Sequence, residues 1–352
     1  MQIWGSMENV FYFRQINAIG GVESFFYYLS KLYKNMVVYY EKGDPEQVKR
    51  LAKNIEIHKF KGEYIKCKRF FGNYGLNILP YVEAEENYFI VHCDYKKNKL
   101  SKPLVYPGFK AIGVSKLAAR SYTEMTGVPC EVIYNPIPIE KVNTKRKTDK
   151  IHILCAMRMS GEKGGWRIDK FTEHFDKRKV PYDLTIYTNK PQKIQFTSPN
   201  VILKEPKLDL RKEMQEATFV IAPSDHEAFG LTVGESLVLG TPVIVTDIEA
   251  FHEIGCIEGE NAIYLNLDMS NVEEVIDKVI KGIPDFKYKP PKSNWGKYLD
   301  NNSTYDPKEM VQVECLKRLW DLETDKHYAR GDKPFMTRER ASYLEAKEIV
   351  CY

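Results

Sequence analysis

The sequence has no apolar run approaching the roughly 18 residues that span a bilayer, so a helical membrane protein is excluded. It has almost no surplus of one charge. Its 52 Lys and Arg against 48 Asp and Glu leave a net +4, too little for a dedicated nucleic-acid binder. It has no C-x-x-C and no cysteine–histidine cluster, which removes zinc-ribbon and dithiol redox chemistry. The seven cysteines are odd in number and scattered, as expected of reduced thiols in a cytoplasmic protein. The opening Met1–Glu8 carries neither a basic n-region nor an apolar h-region, so no secretory leader is expected. Two phosphate-binding motifs are also missing: no G-x-x-x-x-G-K-[ST] and no G-x-G-x-x-G occurs.

Short apolar runs alternate with longer helical patterns over 352 residues, as in βαβ units around parallel sheets. The expected strands of the first half are Val10–Ile16, Val37–Glu41, Ile55–Phe60, Tyr88–His92, Ala111–Ser115 and Glu131–Tyr134. Those of the second half are Ile151–Ala156, Tyr182–Thr188, Val201–Lys204, Phe219–Ala222, Pro242–Thr246 and Ala262–Leu265. Between them, Asn135-Pro136-Ile137-Pro138 and the basic stretch Lys141–Lys150 read as a linker. This gives an α/β domain over 1–140, a second over 141–305, and a tail over 306–352 that follows the breaks at Pro284, Pro290 and Pro291. Met310, Val313, Leu316, Leu319 and Trp320 recur at helical spacing, so the tail is expected to form helices near 307–322 and 338–350 that pack on the first domain.

The chemistry concentrates at strand ends. Strand Phe219–Ala222 runs through Pro223-Ser224-Asp225-His226-Glu227-Ala228-Phe229-Gly230 into the apolar helix Leu231–Leu239. This places Glu227 in the loop and Glu235 on the helix. Carboxylates accept hydrogen bonds from vicinal diols, and helix N-termini present N–H groups to phosphates. Alone, the two acids also read as helix caps favoured by the macrodipole. A second signal is Arg158 and Lys163, just past strand Ile151–Ala156 in a glycine-containing loop, where fixed cations can neutralise a departing diphosphate without a metal. In the first half, Gly20-Gly21 opens an aromatic helix and brings backbone close to a ligand. His92 and Asp94 sit at the end of strand Tyr88–His92.

Glu227 and Glu235 form E-x7-E, set between Pro223-Ser224 and Gly240-Thr241-Pro242-Val243-Ile244. With Gly20-Gly21-Val22-Glu23, Val114-Ser115, Tyr134-Asn135-Pro136 and Arg158…Lys163 in the same order, the chain resembles the retaining glycosyltransferases of family 4 (glycosyl transferases group 1) over roughly residues 10–300. Where that family often has Gly-Gly ahead of Pro-Glu, this chain reads Ile248-Glu249-Ala250-Phe251-His252-Glu253, with Glu253 in register. The resemblance implies a GT-B fold, in which two Rossmann-like domains face each other across a cleft and C-terminal helices cross back. It implies that Arg158 and Lys163 bind the donor diphosphate, Glu235 the ribose, and Glu227 the transferred sugar. Phe229, Gly230 and Leu231 would supply backbone contacts, Gly20 and Gly21 would lie near the phosphates, and His92 would lie beside the reacting face. Catalytic roles would then fall to His92, Glu227, Arg158 and Lys163, with no cofactor and no metal.

The implied activity is transfer of a sugar from a nucleotide-diphosphate sugar, by default a UDP-hexose. The acceptor would be a glycan, a lipid-linked sugar or a protein, as in cell-surface polysaccharide or glycoconjugate synthesis. The alternative is a non-catalytic partner subunit or glycan-binding protein on the same fold. Residues 58–74 interleave Lys59, Lys61, Lys66, Lys68 and Arg69 with Phe60, Tyr64, Phe70, Phe71 and Tyr74. That pattern suits a peripheral contact with an anionic membrane surface or a lipid-pyrophosphate acceptor, and also an ordinary edge strand and loop with the lysines outward.

Overall fold

The computed structural model describes residues 7–98, 104–303 and 305–351; part of the stretch read for a leader, residues 1–6, lies outside them. The first domain is a seven-stranded parallel sheet. Its strands are β1 (Met7–Tyr12), β2 (Val37–Tyr40), β3 (Glu56–Lys59), β4 (Ile65–Gly72), β5 (Val82–Val91), β6 (Phe109–Gly113) and β7 (Cys130–Val132). They lie in the order β3-β2-β1-β4-β5-β6-β7. The second domain is a six-stranded parallel sheet of β8 (Ile151–Ala156), β9 (Tyr182–Tyr187), β10 (Val201–Lys204), β11 (Phe219–Ala222), β12 (Val243–Thr246) and β13 (Ala262–Leu265), ordered β10-β9-β8-β11-β12-β13. Helices cover the sheets: α1 (Gly21–Leu32), α2 (Pro45–Ala52), α3 (Lys116–Thr126), α4 (Gly165–Lys177), α5 (Arg211–Glu216), α6 (Leu231–Leu239), α7 (Glu249–Ile254) and α8 (Val272–Lys281).

Strands buried on both faces need continuous apolar runs. Accordingly Val10, Phe11 and Tyr12 of β1 and Phe219, Val220 and Ile221 of β11 are all inaccessible to solvent. In each sheet the strand order reverses beside the first strand, between β1 and β4 and between β8 and β11. Ligands bind open α/β sheets beyond the carboxyl ends of strands at such reversals. The loops holding Gly20-Gly21, Arg158 and Glu227 leave the sheets there.

The edge-strand reading of residues 58–74 is corrected. Ile65–Gly72 is a central strand paired with β1 and β5. Cys67, Phe70 and Phe71 are buried, while Lys66 and Arg69 meet Glu83 and Glu86 directly across the register. Lys68 pairs with Glu8. The cations fit in a central strand because acids on its neighbours neutralise them.

The domains touch beside the site. Ser115, the N-cap of α3, donates to the Ala228 carbonyl. Glu253 of α7 accepts from the Lys116 and Leu117 N–H groups in the first turn of α3, where the helix dipole favours a carboxylate. Arg120 pairs with Glu249 at 2.7 Å. After α8 the chain returns to the first domain, and Trp295 is buried against Phe11, Phe25 and Phe71.

The helix expected over 307–322 is absent; that stretch forms short strands. Met310–Gln312 pairs antiparallel with Phe335–Thr337, Glu314–Cys315 with Val350–Cys351, and Leu319–Asp321 with Lys326–Tyr328. The burial runs with period two: Val313, Cys315, Leu319 and Asp321 point inward, whereas Met310, Leu316 and Trp320 are exposed. The apolar residues chosen at helical spacing include three on the solvent face, so a chance 3.6-residue match masked a strand pattern. The helix expected over 338–350 is present as α9 (Arg338–Ala346). It packs on α2, with the Lys53–Glu339 and Lys49–Tyr343 contacts joining it to the first domain.

Candidate active site

The loop after β8 is seated directly on the loop after β11. Gly164 has φ +72, and a Cβ there would lie 2.0 Å from the Pro223 carbonyl oxygen, so only glycine allows the approach. The buried Arg167 holds the two loops together, donating to the Pro223 carbonyl at 3.1 Å and to Asp225 at 2.6 Å. The Asp225 N–H donates to the Glu162 carbonyl. On this base Lys163 Nζ lies 2.6 Å from Glu227 Oε1, which also accepts from Ser224 Oγ at 2.8 Å. Arg158 stands exposed at the β8 end, with no hydrogen bond or ion pair to the described residues. Gly230, at φ +85, closes on Phe251, whose ring would be 2.9 Å from a Cβ, and α6 begins at the next residue.

Glu235, one turn into α6, accepts from Tyr28 of α1 at 2.6 Å. Burial pushes its carboxyl above the usual range, against the opposing pull of Tyr28 and Arg50. Arg50 stacks on the Tyr27 ring at 3.4 Å. Opposite, Gly20 and Gly21 form the start of α1. A Cβ on Gly20 would run into the Glu23 carboxylate, whereas Gly21 faces open space. The glycines, Tyr28 and Arg50 on one side, and Arg158, Lys163, Glu227 and Glu235 on the other, line one cleft between the domains. The groove is basic: Asp209, Glu227 and Glu235 are outnumbered by Lys31, Arg50, Arg158, Lys163, Lys207 and Arg211, and the start of α1 opens onto it.

Residues 150–285 match the family model of the glycosyl transferases group 1. The second domain is a group 1 glycosyltransferase domain. The chain as a whole has the GT-B fold. It superposes on Anabaena HepE, solved in complex with UDP and glucose, with a TM-score of 0.61 at 12% identity, covering 78% of this chain and 91% of that one. WaaG, a glycosyltransferase involved in lipopolysaccharide biosynthesis, gives 0.56 at 13%, covering 78% and 90%. Against TarM the TM-score is 0.47 at 16% identity, and the chain spans 50% of that protein's length while 73% of its own is covered. No curated protein matches in sequence.

The glycosyltransferase domain thus brings Arg158, Lys163, Glu227, Gly230, Leu231 and Glu235 to the cleft, where they meet Gly20 and Gly21. Two expected residues do not face it. Phe229 is buried and packs toward Tyr134, with ring centres 6.1 Å apart. His92 sits edge-on to Phe25 at 4.9 Å, outside the cleft lining. Burial pulls its imidazole down to about 3, which leaves a neutral ring against Phe25. Glu253 lies away from the cleft as well, at the amino end of α3. Sequence reasoning missed Tyr28 and Arg50, which belong to no motif and reach the site only through the fold.

Because folding raises the Glu235 pKa, the folded state binds that proton more readily than the unfolded one. The contribution to stability is fully present below the usual carboxylate range and is lost as pH rises through the raised pKa. Urea midpoints of the wild type are therefore expected to fall across that window more steeply than those of Glu235→Gln. Parallel pH profiles for the two proteins would contradict this.

Proposed function

We propose that the chain is a retaining glycosyltransferase that works without a metal, moving a sugar from a nucleotide-diphosphate sugar to an acceptor held by the first domain. The observation that carries this is the Lys163–Glu227–Ser224 contact facing the Gly20-Gly21 end of α1. Lys163, Arg158 and the N–H groups of α1 offer positive charge where a diphosphate would gather negative charge, and such fixed charges act most strongly in a water-poor cleft. In this reading Glu235 takes the ribose hydroxyls and Glu227 those of the sugar. In a front-face displacement, the acceptor oxygen bonds to the anomeric carbon as that carbon's bond to the diphosphate oxygen breaks. The electron pair leaves with the nucleoside diphosphate, and that oxygen takes the acceptor's proton.

UDP is the default nucleotide, in keeping with the UDP and glucose bound by HepE. We assign the reaction to cell-surface glycoconjugate synthesis, in keeping with the shared fold of WaaG, a glycosyltransferase involved in lipopolysaccharide biosynthesis. We place it in the cytoplasm, where the seven free thiols would stay reduced. No helix among the described residues is long and apolar enough to cross a membrane. Peripheral contact through residues 58–74 is not part of the proposal, because Lys59, Lys61, Lys66, Lys68 and Arg69 all have acid partners.

The test is thermal stabilisation by uridine, guanosine and adenosine diphosphates and their sugars in the presence of chelator. A ligand at a hundredfold excess over its Kd adds about 2.7 kcal/mol. A shift for one nucleotide that disappears in Arg158→Ala is expected. No shift with any of them would return the chain to the non-catalytic partner or glycan-binding reading.

A further inference from the structure

The carboxylate that the proposed reaction gives to the ribose is held from across the cleft. Tyr28 of α1, in the first domain, donates to Glu235 Oε1 of α6, in the second, at 2.6 Å. Both side chains line the cleft. The Ser115–Ala228 and Glu253–α3 contacts between the domains lie outside that lining. Tyr28 is itself fixed. It is buried, and Phe25, Phe26 and Leu29 anchor α1 in the first-domain core. Burial also lifts its phenol well above the ordinary range, so at neutral pH the hydroxyl keeps its proton and stays a donor.

An ionised carboxylate accepts about four hydrogen bonds on its two oxygens. Tyr28 takes one, and no other described residue donates to Glu235. A vicinal diol therefore fits on the carboxylate beside Tyr28 without displacing it. Burial favours the protonated carboxyl, which has fewer places to accept. The groups facing it are Tyr28 of α1, Arg50 of α2 and Asp209 of the loop before α5. Tyr28 and Arg50 favour the charged form and Asp209 opposes it, although Asp209 is paired with Arg211 at 2.7 Å.

We infer that Tyr28 is a positioning residue of the donor site: from the first domain it fixes the Glu235 carboxylate for the ribose hydroxyls, so the nucleoside site is complete only while the two domains are closed on each other. The inference rests on the ribose role given to Glu235 above. Tyr28 acts through Glu235 and need not touch the nucleotide. Its hydrogen bond turns the carboxylate and keeps it charged, as a supporting contact does for any group that must meet a ligand in one geometry. Parting the domains removes that hydroxyl and leaves the carboxylate unfixed.

The experiment is calorimetric titration of the full chain and of Tyr28→Phe with UDP, GDP and ADP, and with the same diphosphates built on dideoxyribose, from acid to neutral pH. One ribonucleotide is expected to bind the wild type, and to bind Tyr28→Phe about tenfold more weakly, the effect of a lost hydrogen bond to a charged group. Its affinity falls on acidification as Glu235 takes up a proton. That fall should begin at higher pH in Tyr28→Phe, because the hydroxyl that favours the carboxylate is gone. The dideoxy form, with the same phosphates but no diol, should bind the two proteins equally. On a Glu235→Ala background, Tyr28→Phe should cost nothing further. Equal ribonucleotide affinity and one shared pH profile in wild type and Tyr28→Phe overturn the inference. An equal loss for the dideoxy form overturns it too, since that marks a general structural effect. A ribonucleotide that binds Glu235→Ala undiminished sinks the ribose role and the inference with it, and no binding by any nucleotide sinks the donor reading itself.

Discussion

Lys163→Ala is expected to lower kcat for sugar transfer by about 10²–10³-fold, the loss typical when one preorganised charge donor to a developing anion is removed. The ammonium is fixed before substrate arrives. It is held 2.6 Å from Glu227 on a loop that Gly164 seats against Pro223. A preset charge needs little reorganisation as the diphosphate departs, so its loss should appear in kcat more than in KM for the donor. Glu227 keeps its Ser224 contact, so the fold should survive. Lys163→Arg should recover only part of the rate, because a planar guanidinium cannot reproduce a point charge in the same space. Steady-state kinetics with the nucleotide sugar identified by thermal stabilisation decides the matter. A kcat within threefold of wild type would remove Lys163 from the reaction.

The donor half of this site was legible in the sequence because its signals are local. Ser224 to Glu235 is one strand-end loop and the helix it opens, and Arg158 and Lys163 are one loop from a neighbouring strand. The spacing alone places these groups at the carboxyl edge of a sheet. Residues whose position depends on distant contacts were not legible. Tyr28 reaches Glu235 across 207 positions of chain, and Arg50 looks like an ordinary cation in the last turn of α2. His92 lies just past a strand end as expected, but the direction of its ring depends on Phe25 of α1, which it meets edge-on outside the cleft lining. In the tail, two apolar periods coexist over 310–321, and only the pairing partners near 326–328, 335–337 and 350–351 select the strand period. The central strand Ile65–Gly72 was obscured by cations whose neutralising acids lie on other strands.

Trp295→Ala is expected to destabilise the first domain by about 3–5 kcal/mol, the usual cost of emptying a buried large aromatic site. Trp295 follows the second sheet in the chain yet is wholly buried in the first domain, with ring centres 6.3, 5.4 and 6.0 Å from Phe11, Phe25 and Phe71. Polar contacts hold the returning segment on either side. Lys297 pairs with Glu131, Arg69 donates to the Tyr298 carbonyl, and the Lys34 N–H donates to the Asp300 carbonyl. None of these fills the space the indole occupies. Trp295→Phe should cost far less, since it keeps a ring in the aromatic cluster and removes an indole N–H that is buried without a partner. Urea unfolding followed by domain-specific probes separates the outcomes. Trp295→Ala should lower the midpoint of the first domain much more than that of the second, and Trp295→Phe should restore most of it. Equal losses for the two variants would mean that the cluster is held by something other than ring packing. An unchanged midpoint in Trp295→Ala would mean that the return crossing does not stabilise the first domain, and that the cleft geometry depends instead on the Ser115–Ala228 and Glu253–α3 contacts between the domains.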